Sequence, residues 1–398
     1  MLIIRSNDKI SLHWHGLKIF VKNKKNKLFM NKKRKQGKLK LATLFSGVGA
    51  VEHALSRMKI DHDIVFACDT DEFAKKSYFA NYNIDEDRWF YDIKDLDGKK
   101  FKGKVDLLMG GSPCQSFSMV GKRKGMGDER GLLVYEFIRV VKEAQPKVFI
   151  FENVKGLLNH NGGRTWNHIL EKFDLLGYSY YFKVLNARDF GVPQNRERVF
   201  LIGFKKKRKF EFPEPAELRI AMQDLLEDNP DSKYYLGKKG VDFVTKTKNL
   251  EKKYTQINGK IALCQKANQQ FNWHGDFILS GPKKIEDKYY LSDKVRKYVM
   301  ASGTGKFYSK PQTDLLVARP LLSTMAKMHR AGVDNYVTKG SLIRKLTPRE
   351  CFRLMGFSDN FKIVVSDTQA YKQAGNSVVV DVIMNVLGKA DIYKYAED

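Results

Sequence analysis

Cysteine is scarce in this chain. Its four residues, Cys68, Cys114, Cys264 and Cys351, are too few and too scattered for a disulfide framework, so a reduced, intracellular setting is the simpler reading. No apolar run reaches the roughly 18 residues that a membrane span needs, and the N-terminus lacks the uninterrupted apolar stretch of a secretory signal. No membrane partner is therefore expected, and no internal repeat is present. Acidic residues are also short, 45 against 72 Lys+Arg, for a net charge of +27. That deficit favours a polyanionic partner, nucleic acid first and an acidic membrane surface second, over a mere lysine-rich habit of composition. Core material is ample: 42% of the 398 residues are hydrophobic and 12% aromatic, which excludes wholesale disorder and allows two domains.

The charge is not spread evenly. Residues 1–40 hold 13 Lys+Arg and one acid, and residues 205–345 hold 29 and 15. The remainder holds 30 and 29, so it is almost neutral. A uniform compositional bias would not leave a neutral body between basic segments. The texture divides the chain into a basic N-terminal arm (1–38), a first catalytic part (39–204), a loop-rich insert (205–345) and a return segment (346–398). In the neutral body, apolar runs at 39–45, 64–67, 105–109, 148–151 and 199–204 alternate with helix-like stretches such as 131–143 and 167–176. Such alternation predicts an α/β fold, a mostly parallel, doubly wound sheet covered by helices.

Within the arm, residues 22–38 form a basic polar run of the kind that is usually a flexible tail. His13 and His15 flank Trp14, but two histidines without further ligands do not make a metal site. Met30 offers an alternative start, with the first 29 residues an upstream addition.

Several strand ends carry chemistry. The apolar run from Leu41 enters Phe45-Ser46-Gly47-Val48-Gly49-Ala50 and then a helix, a turn that lets backbone N–H groups approach a ligand. Asp69 follows about 20 residues later, where a second-strand carboxylate meets a ribose. These features alone do not separate a dinucleotide from S-adenosylmethionine. Next, a strand ends in Gly110-Gly111-Ser112-Pro113-Cys114-Gln115. Turn residues flank Cys114, and the basic, glycine-rich loop beyond it would favour a thiolate. Glu152-Asn153-Val154 ends another strand. Gln194, Arg196 and Arg198 alternate ahead of a further one, and a period of two places all three on one face.

Together these segments resemble the cytosine-C5 DNA methyltransferase family. Six motifs appear in family order: Phe45–Gly49, Pro113–Gln115, Glu152–Val154, Gln194–Arg198, Arg344–Phe357 and Gln373–Val378. The resemblance covers about 41–204 and 344–388 and leaves the arm and the insert unmatched. Ala50 replaces the usual Gly, and Asp69 stands where Glu is common. The implied fold is that of S-adenosylmethionine-dependent methyltransferases, with 205–345 as the target-recognition domain.

The resemblance implies that Cys114 attacks C6 of a flipped-out cytosine, that Glu152 contacts N3 and the exocyclic amine, and that Arg198, backed by Arg196, holds O2. Phe45, Gly47, Gly49, Asp69, Thr70, Asp92, Ile93, Pro113, Leu133, Asn376 and Val378 would form the pocket for S-adenosylmethionine, with no metal required. The C-terminal helix from about Val378 would pack back beside the first strand. In the insert, Ala318–Gly332 mixes short polar with basic side chains and is the expected place for base and phosphate contacts. The chain so read is a cytoplasmic, monomeric enzyme acting on double-stranded DNA, of the bacterial or phage restriction–modification type, with any cognate endonuclease a separate protein.

Three other readings compete. A transfer-RNA cytosine methyltransferase shares the fold but has a smaller recognition region. A catalytically silent DNA-binding relative would not need Cys114, Glu152, Arg196 and Arg198 together. A nicotinamide-dependent oxidoreductase explains Gly47, Gly49 and Asp69 but leaves Cys114 and the arginines without work.

Overall fold

The computed structural model describes residues 5–6, 9–14, 17–20, 37–113, 133–228, 230–231, 234–236, 238–251, 255–257, 271–273, 275–277, 315–322, 329–330, 335–339 and 342–396. Residues 1–36 and 37–398 are separate compact units. In the first, strands Arg5–Ser6, Lys9–Trp14 and Leu17–Phe20 form an antiparallel three-stranded sheet.

The second unit is built on a seven-stranded sheet. Its strands in chain order are β1 (Leu39–Leu44), β2 (His62–Cys68), β3 (Trp89–Phe90), β4 (Leu107–Gly110), β5 (Val148–Val154), β6 (Ser179–Asn186) and β7 (Glu197–Phe204). The spatial order is β3-β2-β1-β4-β5-β7-β6. The first five run parallel, and β7 lies antiparallel to both β5 and β6. Seven helices of this body matter below: α1 (Ala50–Arg57), α2 (Glu72–Asn81), α3 (Leu133–Ala144), α4 (Arg164–Asp174), α5 (Pro348–Leu354), α6 (Asp367–Asn376) and α7 (Val380–Lys389).

The central strands are apolar at nearly every position because both faces are covered. Alternation then divides their side chains between two cores. Leu107, Met109, Val148, Ile150, Phe200 and Ile202 enter one core, completed by Val51 and Leu55 of α1, Phe352 of α5 and Ile383 and Val386 of α7. Leu108, Phe149, Phe151, Val199 and Leu201 enter the other, completed by Phe137 and Val141 of α3 and by Ile169 and Phe173 of α4. Phe149 and Phe173 stack there at 5.2 Å between ring centroids. Each such side chain contributes about 1.5–3 kcal/mol by leaving water.

The chain end returns to the first strand. Arg57 of α1 makes a forked pair with Asp381 of α7 at 2.8 and 3.0 Å and also donates to the Gly356 carbonyl. The following turn, Ile392–Ala396, packs against β1.

The basic stretch after β7 is not uniformly detached from this body. Phe210, Phe212, Met222, Leu315, Val317 and Leu321 lie in the first core. Backbone bonds join Ala216 to Asp189, Met222 to Leu316 and Asn195 to Ala318. Outside these returning segments, Tyr235–Leu236, Leu342–Lys345 and Tyr336–Lys339 form a small antiparallel sheet with Leu342–Lys345 in the middle.

Candidate active site

The chain direction reverses its course through the sheet between β1 and β4. Ligands of open α/β sheets sit outside the carboxyl ends of the strands at such a point. The ends of β1, β2, β4 and β5 meet there because these strands are parallel. The start of antiparallel β7 reaches the same edge.

The turn after β1 is tightly wound. Phe45 adopts φ 54°, Gly47 φ 53° and Gly49 φ 80°. A non-glycine residue in this region is strained, and a Cβ at Gly49 would collide with the Tyr82 ring. The Gly47 N–H donates to Asp69 Oδ2 at 2.8 Å, and the Asp71 N–H donates to Oδ1 at 2.9 Å. Burial pushes the Asp69 carboxyl above its ordinary range, against the lowering effect of these two N–H donors. The end of β2 is thus fastened to the turn after β1.

The other expected pocket residues surround this turn unequally. Thr70 and Asn376 are exposed, while Pro113, Leu133, Asp92 and Val378 are half-buried. Asp92 accepts the Lys94 N–H at 2.9 Å. Ile93 is buried in the second core, and its carbonyl accepts Arg139 Nη2 at 2.7 Å. The segment before Asn376 is brought onto α2 by Gln373, which accepts from Ser77 Oγ at 3.0 Å and donates to the Phe73 carbonyl at 2.8 Å. Lys372 pairs with Asp71 beside it.

Glu152 and Arg198 form the second half of the site. Arg198 Nε lies 3.3 Å from Glu152 Oε1, and their side chains are only 18% and 10% exposed. Burial raises the Glu152 carboxyl above the usual carboxylate range, and the charges of Arg198 and then Arg196 oppose that rise. Arg196 is buried. It donates to the carbonyls of Gly375 at 3.0 Å, Ser377 at 2.9 Å and Leu321 at 3.3 Å. One guanidinium therefore joins the segment leading into β7, the end of α6 and the returning part of the basic stretch.

The common face expected for Gln194, Arg196 and Arg198 is not a strand face, because β7 begins only at Glu197. Gln194 is fully buried instead. Its Nε2 donates to the Leu354 carbonyl at 2.7 Å, and its Oε1 accepts the Leu321 N–H at 3.2 Å. Of the two arginines, Arg198 reaches Glu152, whereas Arg196 acts on it only through its charge.

Cys114 lies outside the described residues, one position beyond Pro113. The loop leading to it is held firmly. Asn153 Nδ2 donates to the Ser112 carbonyl at 3.1 Å and to its Oγ at 3.2 Å. A Cβ at Gly111 would stand 2.8 Å from both the carbonyl oxygen and Oε2 of Glu152. Asn153 and Gly111 were visible in the sequence only as neighbours of Glu152 and Cys114. Their work depends on a parallel pairing of β4 with β5 that spacing along the chain does not encode.

The expected DNA-reading segment divides. Ala318–Leu322 is buried packing against the catalytic body, and Asn335 bonds the backbone of Arg319 at both N–H and carbonyl. The Pro-Leu-Leu run explains this: it is core material and not a base-reading face. Residues 323–328 and 331–334 lie outside the described residues. Among the described residues, no group of three or more His, Cys, Asp or Glu is placed to hold a metal ion, and no helix is long and apolar enough to cross a membrane.

The family described as C-5 cytosine-specific DNA methylase matches residues 39–391. The chain is 33% identical to the orphan methyltransferase M.SPRI of Bacillus phage SPR, over 88% of this chain and 97% of that one. It is 34% identical to the type II methyltransferase M.HpaII of Haemophilus parainfluenzae, over 85% and 86%. Among solved structures, the S. pombe Dnmt2 methyltransferase superposes with a TM-score of 0.60 at 20% identity, over 88% of this chain and 97% of that one. That last likeness concerns the fold.

Proposed function

Since the chain belongs to the C-5 cytosine-specific DNA methylase family, we propose that it transfers the methyl group of S-adenosylmethionine to C5 of a cytosine extruded from duplex DNA, as a restriction–modification methylase. The observation that carries this reading is the Glu152–Arg198 pair beside the loop that delivers Cys114.

The cleft suits S-adenosylmethionine. The glycine turn keeps side chains out of the space above the strand ends, Asp69 offers a carboxylate there to sugar hydroxyls, and exposed Asn376 offers an amide. Phe45, Gly47, Gly49, Asp69, Thr70, Asp92, Ile93, Pro113, Leu133, Asn376 and Val378 form its pocket. When bound, it supplies an electrophilic methyl group.

The remaining steps belong to the protein. Cytosine C6 is inaccessible inside the stack, so the base must leave the duplex first. The Cys114 thiolate adds to C6, and the displaced electron pair moves toward N3 and O2. Glu152, whose carboxyl burial pushes toward its protonated form, donates to N3 and accepts from the exocyclic amine. Arg198 faces O2, where charge also develops. C5, now nucleophilic, takes the methyl group. Loss of the C5 proton to a base or water then returns the electron pair that expels Cys114. Arg196 holds the segment leading into β7 against the end of α6 and Leu321.

The basic segments 1–40 and 205–345 bind duplex phosphates. The size of the second favours DNA over transfer RNA. The enzyme acts in the cytoplasm as a monomer, and any cognate endonuclease is separate. Expression of the chain followed by genome-wide bisulfite sequencing should reveal 5-methylcytosine at one short DNA word. Unmethylated DNA accompanied by newly methylated transfer-RNA cytosine would replace this reading with its competitor.

A further inference from the structure

Beneath the cofactor turn, the apolar packing of β1 and α1 is interrupted by a carboxyl group. Glu52 is fully buried, between Val51 and the buried pair Ala54–Leu55. Its Oε1 accepts the Tyr78 hydroxyl at 2.5 Å and the Thr43 hydroxyl at 3.0 Å. Among the described residues, its Oε2 has no hydrogen-bond partner. A carboxyl in such a place costs stability, and a residue selected for packing alone would be apolar like its neighbours.

The bonds that lead away from it have a direction. The single Thr43 proton points to Glu52, so in the 2.8 Å contact between Thr43 Oγ1 and Ser46 Oγ the serine is the donor, sharing its proton with the carbonyls of Thr43 at 3.1 Å and Cys68 at 3.2 Å. Ser46 Oγ in turn accepts the Cys68 N–H at 2.9 Å. One chain thus runs from Cys68 through Ser46 and Thr43 to Glu52, and bonds aligned head to tail strengthen one another. Its outer end fixes Ser46, which stands between strained Phe45 and Gly47, and Cys68, which precedes Asp69. Gly47 and Asp69 are themselves bonded across the turn.

We propose that Glu52 is a positioning residue for S-adenosylmethionine: it orients Thr43 and Ser46 and so holds Phe45, Gly47 and Asp69 in their binding geometry, at a cost to packing. The inference rests on the proposed cofactor reading of that turn. It separates the carboxyl charge from the acceptor, since a glutamine keeps the acceptor and a leucine does not.

The test is calorimetric binding of S-adenosylhomocysteine to the purified full chain, beside thermal unfolding and separate KM values for cofactor and DNA. E52L leaves the buried Tyr78 and Thr43 hydroxyls without their acceptor and should unfold at a lower temperature, and below that temperature it should bind about tenfold more weakly, with KM rising for cofactor and not for DNA. E52Q keeps the acceptor Oε1 and should bind near the parental level. Should E52L fail to fold, T43V cuts the chain with little change in shape and should give the same selective loss. Parental affinity in E52L or T43V overturns the inference, as does equal weakening by E52Q and E52L. Failure of the unsubstituted protein to bind S-adenosylhomocysteine would instead refute the cofactor reading on which the inference depends.

Discussion

Arg198 and Glu152 are diagonal neighbours on antiparallel strands. The register that places Phe200 opposite Glu152 and Arg198 opposite Val154 brings Arg198 Nε to 3.3 Å from Glu152 Oε1. Antiparallel β7 is what makes this possible, because it delivers the start of one strand to the end of another.

The pairing fixes how Glu152 variants should behave. E152A removes the group that stabilises charge at N3 and leaves Arg198 without its partner. Its single-turnover methylation rate should fall by about 100- to 10,000-fold. E152Q, which still offers a donor and an acceptor, should fall less. Equal rates for parent and E152A would remove Glu152 from the reaction.

Gly111 makes a sharper geometric prediction. A methyl group there would meet the Glu152 carbonyl and Oε2 at 2.8 Å, so β4 and β5 must separate or the carboxyl must turn away. G111A should lower the single-turnover rate by about 100-fold, the cost of a misplacement near 1 Å. A rate within twofold of the parent would show that the contact tolerates displacement.

His53 ties acid sensitivity to the joint between α1 and the segment after α5. Its Nε2 accepts the Ser358 N–H at 3.0 Å, which only the unprotonated ring nitrogen can do. Burial, aided by the charge of Arg57, lowers its pKa from 6.5 to about 4. Between these values the unfolded chain binds the extra proton and the folded one does not, so stability should decline as pH falls from 6.5 toward 4. Urea midpoints across this window should decline less in H53N than in the parent. Identical declines would assign the acid loss to other groups.

Charge location predicts salt behaviour. Affinity for nonspecific duplex DNA should fall steeply with salt, with a log–log slope of about 0.9 for each phosphate neutralised. A flat response would reduce the basic segments to composition.

The central sheet could be read from the sequence because β1, β4 and β5 are buried on both faces and appear as unbroken apolar runs. Strand β6 could not be read so easily. It is an edge strand whose Tyr180, Phe182 and Lys183 mix ring and charge, and Phe182 remains exposed. Two-residue β3 is too short to show a period. Glu152, Arg196 and Arg198 were legible as residue types at strand ends. The reach of Arg196 to Gly375, Ser377 and Leu321, and the burial of Gln194, were not, since both join segments far apart in the chain. Texture also drew the basic insert as one block, whereas its apolar returns at 210–222 and 315–322 belong to the first core.

The covalent role of Cys114 is the central claim, and trapping tests it most directly. DNA carrying 5-fluorocytosine at the target position cannot lose a proton from C5 after methyl transfer, so the thiol cannot be expelled. With S-adenosylmethionine present, the full chain should form a denaturation-resistant complex whose peptide map places the adduct on Cys114, and C114S should form none. An adduct-free reaction under conditions in which ordinary cytosine is methylated, or an adduct in C114S, would contradict the account.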